Sequence, residues 1–280
     1  MQTITSEKIT ELEEISRQLR MDSLRFIHRR GAGHPGGALS AAEIMAALYF
    51  YILRIDPAHP GWEERDRFIL SKGHASALLY SALARRGFFP FSELERWGEV
   101  DCPHQGHPDR LKTPGVEMTS GILGHGVAVG VGLALADRLK KGSSRTYVLL
   151  GDGECQAGIV WEGAVTAAKF HLSNLVAIVD NNDVQLDGPL HEIMPLEPFG
   201  EKWSSCGWHV IEINGHSTRQ IVEALELTRE IHDRPCVILA HTTKGKGVSF
   251  MENQSYWHGN VPNDEQLAQA LNELQEVHHG

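Results

Sequence analysis

Short apolar runs that end in glycine or acid-amide turns, separated by stretches with helical spacing, set the pattern of this chain. Residues 147–150 and 175–179 are rich in Val and Leu, as buried parallel strands are. Between them, 158–171 carries Val, Trp, Ala and Phe at helical intervals, which predicts a βαβ unit with both strands ending on one sheet edge. Segments 67–70, 208–213 and 236–240 predict three further strands. Residues 9–30 read as an amphipathic helix with Leu12, Ile15, Leu19, Leu24 and Ile27 near one face. The run from Gly31 to Gly37 breaks it, and Ser40 then reads as the N-cap of a helix reaching Tyr51. Helices are predicted over 75–86, 127–139, 218–231 and 264–277, and 103–114 is a loop dense in Pro, Gly and His. The alternation predicts an α/β fold, a three-layer αβα arrangement of a mostly parallel sheet with helices on both faces. No Pro/Gly/Ser linker or internal repeat divides the chain. One domain over 1–280 is expected, with an N-terminal helix and a short C-terminal helical tail.

Composition narrows the function classes. With 280 residues, 41% of them hydrophobic, the chain is long enough for a full core. A formal net charge of −10 argues against a general nucleic-acid binder, which needs a basic face. It leaves room for a small anion, because local backbone donors and a metal outweigh the global field. The four cysteines lie far apart without a Cys-x-x-Cys pair, as in a reducing compartment. Cys102, His104 and His107 lack the second pair that a zinc site needs. Residues 1–7 are polar, no leader-like apolar segment follows, and no stretch is apolar enough to cross a membrane. A soluble, cytoplasmic protein is expected.

The chemistry concentrates at the ends of the βαβ strands. Gly151-Asp152-Gly153-Glu154 closes the first strand and Asp180-Asn181-Asn182-Asp183 the second. The C-terminal strand edge is where open α/β folds bind ligands. It brings Asp152 and Asn182 side by side, a carboxylate and an amide oxygen. Hard donors of low total charge, beside glycines that admit an anion, suit Mg²⁺ shared with a diphosphate. Either segment alone also reads as a simple turn.

Three of the 16 histidines sit beside glycine in predicted loops, at Gly33-His34-Pro35, Gly73-His74-Ala75 and Gly106-His107-Pro108. A fourth, His258, follows the Lys244-Gly245-Lys246-Gly247 loop. Glycine opens space and proline fixes chain direction, so each ring is presented rather than packed. A neutral imidazole donates one hydrogen bond and accepts another, which suits a polyhydroxylated substrate or a phosphoryl oxygen. His28, His59, His171, His209, His232, His278 and His279 read as structural or solvated.

Taken together and in order, these pieces resemble the N-terminal, thiamine diphosphate-binding part of the transketolase family, from Leu19 to Pro262. The matching segments are Gly-His-Pro-Gly at His34, Ser-Lys-Gly-His-Ala at His74, Gly-His-Pro at His107 and Thr119 through Gly126. They continue with Gly-Asp-Gly at Asp152, Asp-Asn-Asn at Asn182, Lys-Gly-Lys-Gly at Lys244 and Trp-His-Gly at His258. The resemblance implies that Asp152, Asn182 and the Val184 carbonyl hold Mg²⁺, for which Ca²⁺ or Mn²⁺ can substitute. It carries Gly151, Asp152, Gly153 and Glu154 to the cofactor as one loop, with the Gly153 N–H on the diphosphate. It puts Gly121 and Leu123 near the cofactor rings, His74 and His258 near the diphosphate and reacting centre, and Lys244 as a further cofactor contact. His34, His107 and His258 become the catalytic set, contacting substrate hydroxyls.

The chain departs from the family in places. Ala157 stands where the family usually has Glu, with Glu154 or Glu162 as possible replacements; His125 replaces a common Gln and Ile122 a common Pro. No second βαβ series follows Val261. The glutamate that activates the cofactor's aminopyrimidine ring lies, in the family, in a pyrimidine-binding domain that this sequence lacks. The expectation is therefore a split enzyme: a C-terminal transketolase subunit supplies that domain and its glutamate in an α₂β₂ assembly. The alternative is a fragment of a longer chain. The expected reaction is transfer of a two-carbon ketol unit from a ketose phosphate to an aldose phosphate, with a modified hexose such as a sulfosugar also compatible. Rival readings are the E1 α chain of a 2-oxo-acid dehydrogenase, a deoxyxylulose-phosphate synthase half and a non-catalytic binding module. A Rossmann dehydrogenase is disfavoured, since no Gly-x-Gly-x-x-Gly follows the first strand.

Overall fold

The computed structural model describes residues 4–276. Among these, five strands, β1 (Arg67–Leu70), β2 (Thr146–Gly151), β3 (Leu175–Asn181), β4 (His209–Asn214) and β5 (Cys236–His241), form one sheet in the order β1-β2-β3-β5-β4. Every neighbouring pair is parallel, with Leu150 opposite Val179 and Val179 opposite Leu239. All strand ends that carry predicted chemistry therefore leave the same edge.

Among the described residues ten α-helices surround the sheet: α1 (Ser6–Arg30), α2 (Pro35–Ser40), α3 (Ala42–Ala47), α4 (Ser76–Arg86), α5 (His125–Leu139), α6 (Gly158–Lys169), α7 (Leu190–Ile193), α8 (Phe199–Ser205), α9 (Thr218–Leu227) and α10 (Asp264–Glu276). Strand alternation sorts the core into two layers. Phe68, Tyr147, Leu149, Val176 and Ile238 point to the face covered by α1, α3, α4 and α9. Ile69, Val148, Leu150, Val179 and Val237 point to the face covered by α5, α6 and α8. A third cluster, with Leu24, Leu39, Val248, Met251, Trp257 and Leu274, fastens the segment bearing Lys244 and His258 to α1, α2 and α10.

Caps explain where α1 begins and ends. The Thr5 hydroxyl accepts the Lys8 N–H at 3.2 Å, and Gly31, at φ 67°, donates its N–H to the His28 carbonyl at 3.0 Å.

Several predicted boundaries need correction. Ser40 is not an N-cap; it is the last residue of α2, and its hydroxyl donates to Asp180 at 2.6 Å. Pro35 at the first helical position starts that helix early, because its fixed φ suits a helix and its missing N–H costs nothing there. The glycines that read as helix breakers serve close packing instead: a Cβ at Gly37 would lie 3.1 Å from His74 Nε2, and one at Gly36 2.9 Å from the Trp257 carbonyl. The helix predicted from Val127 starts at His125, the one predicted to Ile231 ends at Leu227, and the strand expected from Trp208 begins at His209. His278, His279 and the end of the last predicted helix lie outside the described residues. Among the described residues no helix is long and apolar enough to cross a membrane.

Candidate active site

The loops after β1, β2, β3 and β5 converge on a cavity of about 250 Å³, lined by Asp152, Asn182, Val184, Lys244, His74 and His258 among others. Asp152 is 2% exposed and closes the loop on itself. One carboxylate oxygen accepts the Gly153 N–H at 2.7 Å; the other accepts the N–H groups of Asn182 at 2.8 Å and Asp183 at 2.6 Å. This carboxylate ties the end of β2 to the end of β3. The Asn182 side-chain oxygen accepts the Val184 N–H at 3.1 Å, and the Val184 carbonyl accepts the Lys244 ammonium at 2.8 Å. Burial, and secondarily Asp180, push Asp152 up to about 6 despite its backbone donors. A carboxylate in that condition gains from an added cation.

That donor set fits a hard divalent ion. Asp152, Asn182 and the Val184 carbonyl are all oxygen ligands with lone pairs left over, and a cationic group, Lys244, already rests on one of them. Gly151 faces open space, with no atom within 4 Å of where a Cβ would stand. The Gly153 N–H, expected to face a diphosphate, is directed at Asp152 in this arrangement.

Beneath the cavity lies a polar floor. Lys72, 1% exposed, pairs with the fully buried Asp180 and donates to the Gly37 carbonyl at 2.8 Å. Asp180 also accepts the hydroxyls of Ser40 and Thr242 and the Asn182 amide at 3.2 Å. Burial opposes its charge, but Lys72 and these donors outweigh burial and hold the carboxyl below its ordinary value. Sequence reasoning missed Lys72, Asp180, Ser40 and Thr242 as members of the site. The one available signal was an aspartate closing an otherwise apolar strand.

Glu154 is spent on protein donors: the Ser71 hydroxyl, the Gly124 N–H at 2.7 Å and the Gly151 N–H at 3.1 Å. Burial raises its carboxyl, and those donors counter it. It clamps the Gly121–Gly126 loop to the Gly-Asp-Gly loop. Glu162, the other replacement considered for the missing carboxylate, is exposed on α6. Ala157 packs toward the same loop, 3.0 Å from where a Gly124 Cβ would stand. Leu123 lines the cavity, and Gly121, at φ 155°, lies next to His107.

The four singled-out histidines form one cluster. The His34 ring lies 5.3 Å from that of His74, 5.5 Å from His258 and 6.3 Å from His107 between centroids. His74 stacks on His258 at 5.0 Å, and His258 Nδ1 lies 2.9 Å from the Lys244 ammonium. Burial first, then the neighbouring cations and rings, lower all four; His258 falls to about 3. They stand as neutral donor-acceptors. The same burial, with Lys72 beside it, pushes Lys244 down to about 8 against the pull of Asp152 and Asp180. By contrast His104 is packed between Phe89 and Tyr80.

Residues 10–275 match the family described as transketolase, thiamine diphosphate binding domain. The chain belongs to the transketolase family. This transketolase-family chain is 42% identical over 270 residues to the 6-deoxy-6-sulfo-D-fructose transketolase subunit SqwG of Clostridium sp. (strain MSTE9), covering 96% of this chain and 98% of that one. It is 39% identical over 269 residues to an apulose-4-phosphate transketolase subunit of Phocaeicola vulgatus, covering 96% and 95%. Among solved structures, transketolase from Campylobacter jejuni superposes with a TM-score of 0.89 at 32% identity, over 97% of this chain and 43% of that one. The chain thus spans less than half the length of that transketolase chain, while it runs nearly the whole length of the two subunits. The α/β fold and the family expected from the motifs are those found.

Proposed function

We propose that this chain is the diphosphate-binding subunit of a two-chain transketolase that moves a two-carbon ketol unit from a ketose phosphate to an aldose phosphate. The observation that carries this reading is the cluster of neutral imidazoles on His34, His74, His107 and His258, beside the Asp152–Asn182–Val184 oxygen set. The end-to-end match to separate transketolase subunits supports the two-chain arrangement. In this reading Asp152, Asn182 and the Val184 carbonyl hold Mg²⁺, and His74, Leu123, Gly151 and Lys244 border the cofactor. Thiamine diphosphate, when bound, supplies the electron sink for carbon–carbon cleavage. The chain's own residues do the rest. His34, His107 and His258, each able to donate and accept, orient donor hydroxyls, and His34 and His258 carry protons at the reacting carbonyl. A complementary cytoplasmic chain brings the pyrimidine-binding domain and its glutamate, in an α₂β₂ assembly.

Mixing the chain with that partner, Mg²⁺ and thiamine diphosphate is expected to give ketol transfer from xylulose 5-phosphate. A mixture that acts on pyruvate alone would sink the assignment. His107→Ala is expected to raise the donor KM with cofactor affinity unchanged by calorimetry. A second reading, a modified sugar as donor or acceptor, is favoured by the names of the two relatives above.

A further inference from the structure

A lysine side chain is a flexible four-carbon stem. The Lys244 ammonium therefore keeps its place on the Val184 carbonyl and beside His258 only while its backbone is held. Around it, the N–H groups of Thr242, Gly245 and Lys246 donate to the backbone carbonyls of Asn181, Gly36 and Thr243, and the Lys244 carbonyl accepts the Asn253 N–H. Thr243 differs. Its N–H donates to a side chain, Nε2 of His216, at 2.8 Å. An acceptor at Nε2 leaves the ring proton on Nδ1, and Nδ1 lies 3.3 Å from Glu43 Oε2. That carboxylate, in the first turn of α3, is buried and paired with Arg20 of α1. Arg20 in turn donates to the Leu39 carbonyl at 3.0 Å.

The turn after β4 brings the imidazole to Thr243. The Asn214 side chain accepts the His216 N–H at 2.9 Å, and the Gly215 N–H donates to the His241 carbonyl at 2.8 Å. A Cβ at Gly215 would fall 2.4 Å from Thr242 Cγ2, so glycine is what lets the ends of β4 and β5 approach this closely. His216 does not reach the cofactor cavity. With Glu43, Arg20 and Lys246 it lines a separate cavity of about 560 Å³, and the two cavities share no lining residue.

We infer that His216 is a positioning residue: its Nε2, oriented by Glu43, fixes the Thr243 backbone and so holds Lys244 on the Val184 carbonyl. The series from Arg20 through Glu43 and His216 thus links α1 and α3 to one backbone N–H beside the site's lysine. For its effect on the cofactor this inference rests on the diphosphate-binding reading; the hold on residues 242–246 does not depend on it. A merely structural ion pair would stabilise the chain without acting through Lys244.

The test compares His216→Gln, whose amide reaches the Nε2 position, with His216→Asn, whose shorter amide reaches only the Nδ1 position beside Glu43. Amide hydrogen exchange of the full chain is the first readout. In His216→Asn, exchange over residues 242–246 is expected to rise by about 3- to 10-fold, the worth of one hydrogen bond, with the strands unchanged. In His216→Gln it should stay within about twofold of wild type. The second readout is the affinity of the two-chain assembly for thiamine diphosphate with Mg²⁺, by calorimetry. His216→Asn should lower it by about the same factor, and the loss should shrink to within about twofold when Lys244→Met is already present, because the imidazole acts through the lysine. Equal exchange over 242–246 in the two variants would overturn the inference. So would a rise spread over the whole chain, or an undiminished loss of affinity in the Lys244→Met background. Should His216→Asn not fold, His216→Phe, which also lacks the acceptor, is read in its place. If the wild-type assembly binds no thiamine diphosphate, the diphosphate-binding reading has failed, while exchange over 242–246 still decides the role of His216.

Discussion

Two buried carboxylates show how differently one residue type behaves according to what surrounds it: burial lifts Asp152 to about 6, whereas Lys72 and its hydroxyl donors hold Asp180 below its ordinary value. Asp152 announces itself through Gly-Asp-Gly, because the glycines and the strand end fix where it stands. The Lys72–Asp180 pair joins residues 108 positions apart, and no local pattern reports a contact of that kind. Lys72→Met is expected to cost about 3–5 kcal/mol in urea unfolding, because it leaves the Asp180 charge buried among neutral donors. Adding Asp180→Asn should return part of the loss; no recovery would mean that the lysine acts through packing alone. A second hidden group, Glu43, gives a pH signature. Burial pushes its carboxyl up, but Arg20 and His216 outweigh burial and hold it at about 2, against an ordinary 4.5. The unfolded chain therefore takes up this proton first as the solution is acidified. The associated stability is complete above about pH 5 and drains away as pH falls toward 2, on the order of 3 kcal/mol in all. Urea midpoints at stepped pH should show Glu43→Gln with a flatter acid limb than wild type; identical slopes would refute the ion-pair account.

At the level of elements, strands were easier to read than helix ends. Alternation such as Tyr147, Leu149 against Val148, Leu150 reports both the strand and its two buried faces. The short α2 escaped because Pro35-Gly36-Gly37 looks like a break until one sees what packs on it. The helices α7 and α8 carry too few turns for a periodic signal. Glycines within one helix show the same dependence on surroundings. In α5, a Cβ at Gly130 would come within 2.8 Å of Val148 Cγ2 and 3.1 Å of Leu175 Cδ1, whereas at Gly132 it would meet nothing within 4 Å. Alanine gains about 1 kcal/mol over glycine in a helix, and overpacking a sheet-facing position costs about 1–3 kcal/mol. Gly132→Ala is therefore expected to stabilise the protein by about 0.5–1 kcal/mol, while Gly130→Ala loses stability by pushing α5 off β2. Thermal melts of the two variants should move in opposite directions. A matched rise in both would show that α5 sits less tightly on the sheet than these distances state.

For the whole molecule, large apolar side chains stand exposed on the loops that line the cavity and next to them in sequence. Ile122 is 70% exposed, Leu186 60% and Met194 57%, and Leu123 and Leu186 also line the cavity. The Met194 carbonyl accepts the Gln156 side-chain amide at 2.8 Å, which anchors the Met194 segment to the loop that follows Asp152. Large apolar side chains gathered at a polar cavity mark an interaction surface more than a solvated one. In the two-chain reading, the complementary subunit covers this rim and completes the cofactor site. Both halves of an interface core lose water together, so a charge placed there is costly while the isolated chain hardly notices it. Leu186→Glu and Ile122→Asp are accordingly expected to leave the circular dichroism and melting temperature of the chain close to wild type. Each should weaken assembly with the partner by about tenfold or more, a loss of about 1.4 kcal/mol or greater, read by sedimentation at graded concentrations. In that reading the cofactor site is shared, so thiamine diphosphate affinity should fall with assembly and recover when partner concentration is raised. Should the variants assemble normally, the partner must approach from another face, and the open rim would need a different occupant.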